Sequence, residues 1–142
     1  MAEHDVAATT TTVINTNNSE RFQSLRRELG IEGFGMNVIT LRPRQRGRIH
    51  DHERQEEVYL VLEGTLTLVV EGDEQTLERG ELIRVAPAVR RQLVNRGPQD
   101  LVLLAIGADG EHQGRDGEAF TDWAQEQGAP PQETPLPEDL PG

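Results

Sequence analysis

The chain has 142 residues, 35% of them hydrophobic and 4% aromatic, enough for one compact core and too few for two. All 14 basic residues are arginine, against 25 acidic ones, for a formal net charge of −11; that balance argues against nucleic acid and anionic membrane surfaces as partners. There is no cysteine, which removes disulfides, thiolate catalysis and thiolate-ligated metal centres and leaves His, Asp and Glu as the strong metal ligands.

Residues 1–18 form a leader in which Thr9 to Thr12, followed by Val13 and Ile14, have the β-branched composition of an edge strand; an unstructured leader is the other reading. Glu3 and Asp5 precede no apolar stretch, and the longest apolar run, Leu101 to Ile106, is far too short to span a bilayer. A soluble, cytoplasmic protein is the expectation. Over residues 19–30 the spacing predicts a short helix, with Ser19 as cap, Phe22, Leu25 and Leu29 on one face and Gly30 as the stop. Residues 31–108 read as all-β: Gly35–Leu41, Glu57–Leu62, Thr65–Val70, Gln75–Leu77, Glu81–Val85, Arg91–Val94 and Leu101–Ile106 are short runs separated by turn residues. Such spacing favours a sandwich or barrel in which consecutive strands mostly pair antiparallel. Glu71-Gly72 and Arg96-Gly97-Pro98 mark hairpin turns. Residues 109–142 carry nine acids against one arginine and five of the eight prolines, a tail expected to be disordered or strapped extended along the surface. Within it Glu118 to Gln127 is a weaker helix candidate, with Phe120, Trp123 and Ala124 on one side.

The stretch that carries chemistry runs from Gly47 to Gly64. Side chains alternate along a strand, so His50 and His52 point to one face with Cα atoms roughly 6–7 Å apart. From that separation two imidazoles converge on one ion at about 2.1 Å. A turn follows, and Glu57 opens the next strand, bringing a carboxylate to the same point from across the sheet. Two imidazoles and one carboxylate suit iron, manganese, nickel, zinc or copper and leave positions open. Glu56 is a competing ligand, but only Glu57 shares a face with Tyr59, a candidate hydrogen-bond donor to a ligand. Arg42, Arg44, Arg46 and Arg48 alternate on the approach to His50; they either steer anions to the site or form a solvated face paired with Glu53, Glu56 or the acidic tail. His4 and His112 lie in tail-like surroundings and are expected to be solvated.

His50, His52, Glu57 and Gly64 match the first cupin motif, His-x-His followed by Glu and, after six residues, Gly. The second motif, Gly-x5-Pro-x-Gly-x2-His-x3-Asn, resembles Gly80 to Asn95, with Ala86, Ala88 and Arg91 at its Pro, Gly and His positions. The resemblance covers Phe34 to Ala108 and implies a small jelly-roll β-barrel of two antiparallel sheets with the site inside. It also implies frequent homodimers, for which Thr10 to Ile14 offers an edge, and oxygenase, isomerase or decarboxylase chemistry. In the family the second-motif His is usually a metal ligand, a role that a guanidinium, with no available lone pair, cannot fill. Two readings follow. In one, His50, His52 and Glu57 hold a divalent transition metal while Arg91 and Tyr59 meet a small, anionic organic substrate. In the other no cofactor is bound: Arg91 pairs with Glu57 across the barrel, and the protein is a non-catalytic small-ligand-binding or structural module. An interaction role for the acidic tail is a third.

Overall fold

The computed structural model describes residues 8–17, 21–108 and 117–141. Among them are ten strands: β1 (Phe22–Ser24), β2 (Gly35–Leu41), β3 (Ile49–His52), β4 (Glu56–Glu63), β5 (Leu66–Val70), β6 (Asp73–Leu77), β7 (Leu82–Val85), β8 (Arg91–Val94), β9 (Leu101–Ala108) and β10 (Gly117–Phe120). They form two five-stranded sheets, β1-β2-β9-β4-β7 and β10-β3-β8-β5-β6, antiparallel throughout. The two sheets enclose one core, the expected jelly-roll architecture.

The expected strands are all present. Their pairing differs from the expectation: β1–β2 and β5–β6 are the chain neighbours that pair, and the other ladders join strands far apart in sequence. β4 illustrates the alternation that builds the core. Tyr59 and Val61 face inward onto Leu66, Leu68, Leu101 and Leu103, while the residues between them lie on the outer face. That outer face has a small core of its own, in which Leu25 packs with Val38 and Val102, flanked by Leu29, Met36, Leu62 and Leu104.

Leu25 and Leu29 come from α1 (Leu25–Leu29), shorter than the expected helix over 19–30. Its cap is Ser24, whose Oγ accepts from the Arg27 N–H at 3.2 Å; Ser19 lies outside the described residues. Gly30 ends the helix at φ +75° as expected. Phe22 is not helical but pairs opposite Ile39 in β1, because adding a strand to β2 satisfies more backbone groups than one extra helical turn. The Glu71-Gly72 turn also forms as expected: both residues have positive φ, +47° and +91°, which suits a two-residue hairpin between Val70 and Asp73.

The flanking segments are tied down by side chains. Thr9 to Ile14 forms no strand, although Gln23 Nε2 donates to the Val13 carbonyl at 2.9 Å and Thr10 Oγ1 to that of Leu29 at 2.8 Å. Glu118 to Gln127 is not a helix: Phe120 ends β10, and turns follow. Of the two expectations for the tail, the described part follows the strap. Arg90 donates to the carbonyls of Gln125 at 2.5 Å and Glu126 at 2.9 Å, Arg48 to Thr134 at 2.6 Å and Arg46 to Glu138 at 2.8 Å. The Leu140 N–H closes the run on the Arg44 carbonyl at 2.7 Å. These acceptors are backbone carbonyls, so the basic residues are cleats for the tail rather than partners of its carboxylates; among the described residues Arg21 and Asp139, at 3.9 Å, are the exception. No helix among the described residues is long and apolar enough to cross a membrane. His4 and His112 lie outside the described residues.

Candidate metal centre

β3 delivers His50 and His52 from one sheet, and β4 delivers Glu57 and Tyr59 from the other. Glu57 therefore reaches the histidines across the barrel interior and not, as the sequence suggested, from a neighbouring strand of the same sheet. Nε2 of His50 stands 3.5 Å from Glu57 Oε1, and Nε2 of His52 stands 3.4 Å from Oε2. The rings meet edge to face with centroids 5.3 Å apart. One nitrogen from each histidine and one oxygen of Glu57 all lie within 4.8 Å of one another. Two donors bound at about 2.1 Å to one tetrahedral ion stand about 3.4 Å apart, so the Glu57 distances already match and a small closure of the rings completes the fit.

Arg91 enters from β8, where its register partner on β3 is His50. Its side chain is fully buried, and its donors are spent inside the protein: Nη2 to Glu57 Oε1 at 2.9 Å, Nη1 to the Val89 carbonyl at 2.6 Å and Nε to the Tyr59 hydroxyl at 3.4 Å. The Tyr59 hydroxyl in turn donates to Glu57 Oε1. Oε1 is thus claimed by Arg91 and Tyr59, and Oε2 is the oxygen turned toward His52. The His50 Nδ1 lies 3.3 Å from the Arg48 carbonyl, a contact that orients the ring with Nε2 toward Glu57.

The electrostatics follow. Burial pushes the Glu57 carboxyl up, but hydrogen bonds from His50 and His52 and their charges overcome it and hold the group well below the usual carboxylate range. Burial, and then the Glu57 charge, push Tyr59 well above 10. Burial weakens the Arg91 charge, but Tyr59 and Glu57 outweigh it and raise the group above its ordinary value. Arg48 is lowered, first by burial and then by neighbouring Arg21. Two glycines make space for the cluster: a Cβ on Gly107 would stand 3.4 Å from Glu57 Cγ, and one on Gly117 would stand 3.4 Å from the His52 ring. Each is the register partner of the side chain it accommodates.

The three donors open on a cavity of about 270 Å³, with Arg48, Tyr59, Phe22 and Pro131 also in its wall. A larger hollow near Gly64 and Asp100, about 520 Å³, touches none of them. The sequence thus brought together His50, His52, Glu57, Tyr59 and Arg91. Glu56 is not among them: it is exposed and pairs with Arg84. Of the alternating arginines, Arg42 pairs with Asp100 at 2.5 Å, and Arg48 alone of the four lines the cavity. Phe22 and Pro131 at the mouth were not legible, because one was assigned to a helix and the other to the tail.

Residues 37–107, half of the chain, match the cupin domain. The chain belongs to the cupin family. No curated protein matches it in sequence. Among solved structures it resembles a candidate sugar phosphate isomerase from Acidithiobacillus ferrooxidans, 28% identical with a TM-score of 0.59, over 67% of this chain and 60% of that one. It also resembles a cupin protein from Bacteroides fragilis, 20% identical with a TM-score of 0.64, over 76% and 91% of the two chains. A third is a sugar phosphate isomerase of the cupin superfamily from Silicibacter pomeroyi, 22% identical with a TM-score of 0.62, over 80% and 76%. The chain spans about 60% of the length of the Acidithiobacillus protein.

Proposed function

We propose that this cupin holds one divalent transition metal through His50, His52 and Glu57 and acts on a small anionic organic molecule in the barrel cavity. The observation that carries the proposal is the convergence of two imidazole nitrogens and a carboxylate oxygen within 4.8 Å at the wall of a 270 Å³ cavity. When bound, the metal supplies a Lewis acid that polarises a substrate oxygen. The protein's own part is to present three ligands on one side and leave the cavity side open. Arg91 and Tyr59, read from the sequence as substrate contacts, serve in this proposal to fix Glu57 by Oε1, with Oε2 toward His52. Because Arg91 shares the Glu57 charge, the ion is held less tightly here than by a set with a third imidazole. A sugar phosphate meets the substrate description, and the Acidithiobacillus neighbour bears the name of an isomerase of that class.

A second reading has its own support. The Arg91 to Glu57 contact of 2.9 Å satisfies the interior without an ion, as expected for a metal-free binding or structural barrel. Elemental analysis of untagged protein separates the two. The proposal expects close to one ion per chain, lost in His50→Ala; protein without metal, whose melting temperature does not rise with added iron, manganese or nickel, overturns it. A cytoplasmic homodimer completes the proposal. Val13 is 80% exposed and Ile14 44%, an apolar edge available to a second copy, and a monomer by light scattering removes that part.

A further inference from the structure

We infer that Arg48 is the anion-anchoring residue of the cavity, holding a terminal carboxylate or phosphate of the substrate at the mouth while the rest of the molecule reaches the histidines. This rests on the proposed function for what lies at the inner end, but the anion site stands on separate residues. Arg48 lies just before β3 and His50 and His52 lie in it, at every second position, and all three line the same cavity. Arg91 is not available for the task, because its nitrogens are donated to Glu57, Tyr59 and Val89. That leaves Arg48 as the cation in the cavity wall.

Its hydrogen bond runs from Nε to the Thr134 carbonyl at 2.6 Å. That contact occupies Nε, and among the described residues the terminal nitrogens make no hydrogen bond. Among the described residues no carboxylate pairs with Arg48, whereas Arg42, Arg84 and Arg96 each have one. A second guanidinium is near enough to act on the Arg48 charge: Arg21, which donates from Nη1 to the Arg46 carbonyl at 2.9 Å and stands 3.9 Å from Asp139. A half-buried cation beside another cation, fixed at one edge by a neutral carbonyl, is suited to receive an anion at its remaining donors.

Cavity size then limits the ligand. Arg48 and the two histidines share one cavity of about 270 Å³, so a ligand that is held at Arg48 and reaches the imidazole nitrogens is a small molecule. Apolar wall from Phe22, Leu93 and Pro131 lies around that path. The chemical class is a short carbon chain with a charged end and an oxygen at the other, either a phosphate ester or a dicarboxylate.

Calorimetric titration of the full chain with inorganic phosphate and, separately, with malonate tests the inference, alongside Arg48→Gln and the surface control Arg84→Gln. Saturable binding of either probe, weakened at least tenfold in Arg48→Gln and unchanged in Arg84→Gln, supports it, and the tighter probe shows which anion the site prefers. Absence of binding by the intact chain, or equal binding by Arg48→Gln, overturns it. A readout that needs no variant is the Arg48 Nε–H resonance, which must shift along the phosphate or malonate titration; binding that leaves it in place also overturns the inference. Metal content of the same samples is scored separately. An Arg48-dependent anion site in metal-free protein removes the proposed metal chemistry and keeps the anion site, and one ion per chain with no anion binding does the reverse.

Discussion

The two halves of the site were built by different rules. On the β3–β4 half the residue types of the first motif are intact: His50, His52 and Glu57 keep both identity and position. On the β7–β8 half the backbone frame persists while the residue types change. Ala88 keeps a positive φ of +66° where the motif has Gly, and its N–H donates to the His52 carbonyl at 2.6 Å. Asn95 is fully buried and ties three strand ends together through the carbonyls of Leu41 and Gln99, each at 2.9 Å, and the Gly97 N–H at 3.0 Å. Between those fixed points Arg91 replaces a ring with a charge. A barrel can therefore exchange the chemistry of one ligand position without altering the strand that carries it, provided the new charge finds a partner inside.

That proviso is the place to break the comparison. Glu57→Ala removes the carboxylate that partners the buried Arg91 and leaves a charge unpaired in the core, which is expected to cost about 3–5 kcal/mol. Chemical denaturation measures it, and a loss below about 1 kcal/mol would mean that the two halves are not coupled through this pair. Tyr59→Phe takes away both a donor to Glu57 and an acceptor for Arg91, with an expected cost of about 2 kcal/mol. Tyr59 is the single tyrosine of the chain, so ultraviolet titration reads it directly. Its folded value lies well above the ordinary 10. The stability from keeping it neutral is therefore intact below pH 10 and erodes as pH climbs toward the folded value. Tyrosinate signal should appear with unfolding; ionisation near 10 in folded protein would contradict its burial.

How much of this was legible depends on the range of the interactions. The first motif was readable because His50, His52, Glu57 and Tyr59 lie within ten residues and strand alternation fixes their faces. That Glu57 comes from the opposite sheet was not readable, since sheet membership is decided by partners such as Gly107, remote in sequence. The helix face of Phe22, Leu25 and Leu29 was a correct apolar pattern read with one period too many: Leu25 and Leu29 pack as a helix should, but pairing with Ile39 draws Phe22 into a strand. The strap was hidden for another reason. Composition counts side chains, and the tail is held by its carbonyls, which any sequence supplies.

Arg91→His sharpens the comparison by restoring the ring to the second half. The change adds a lone pair beside the three existing donors and removes a cation competing for Glu57. Affinity for manganese or nickel is expected to rise at least tenfold, about 1.4 kcal/mol, by calorimetric titration. Unchanged affinity would mean that Arg91 does not restrain the site, and that the Glu57 contact of 2.9 Å is incidental to metal binding.

The smallest expected effect concerns the frame alone. Ala88 occupies the left-handed region at φ +66°, where a Cβ crowds the backbone at a cost of roughly 1–2 kcal/mol. Gly at this position relieves that strain but adds freedom to the unfolded chain, worth about 0.5–1 kcal/mol in the opposite direction. Ala88→Gly is therefore expected to stabilise the fold by about 1.5 kcal/mol at most, with metal affinity unchanged because no side chain of the cluster moves. If the stability gain appears together with altered metal binding, the hydrogen bond from Ala88 to the His52 carbonyl sets the position of that ring, and frame and chemistry are less separable than the two halves of the site suggest.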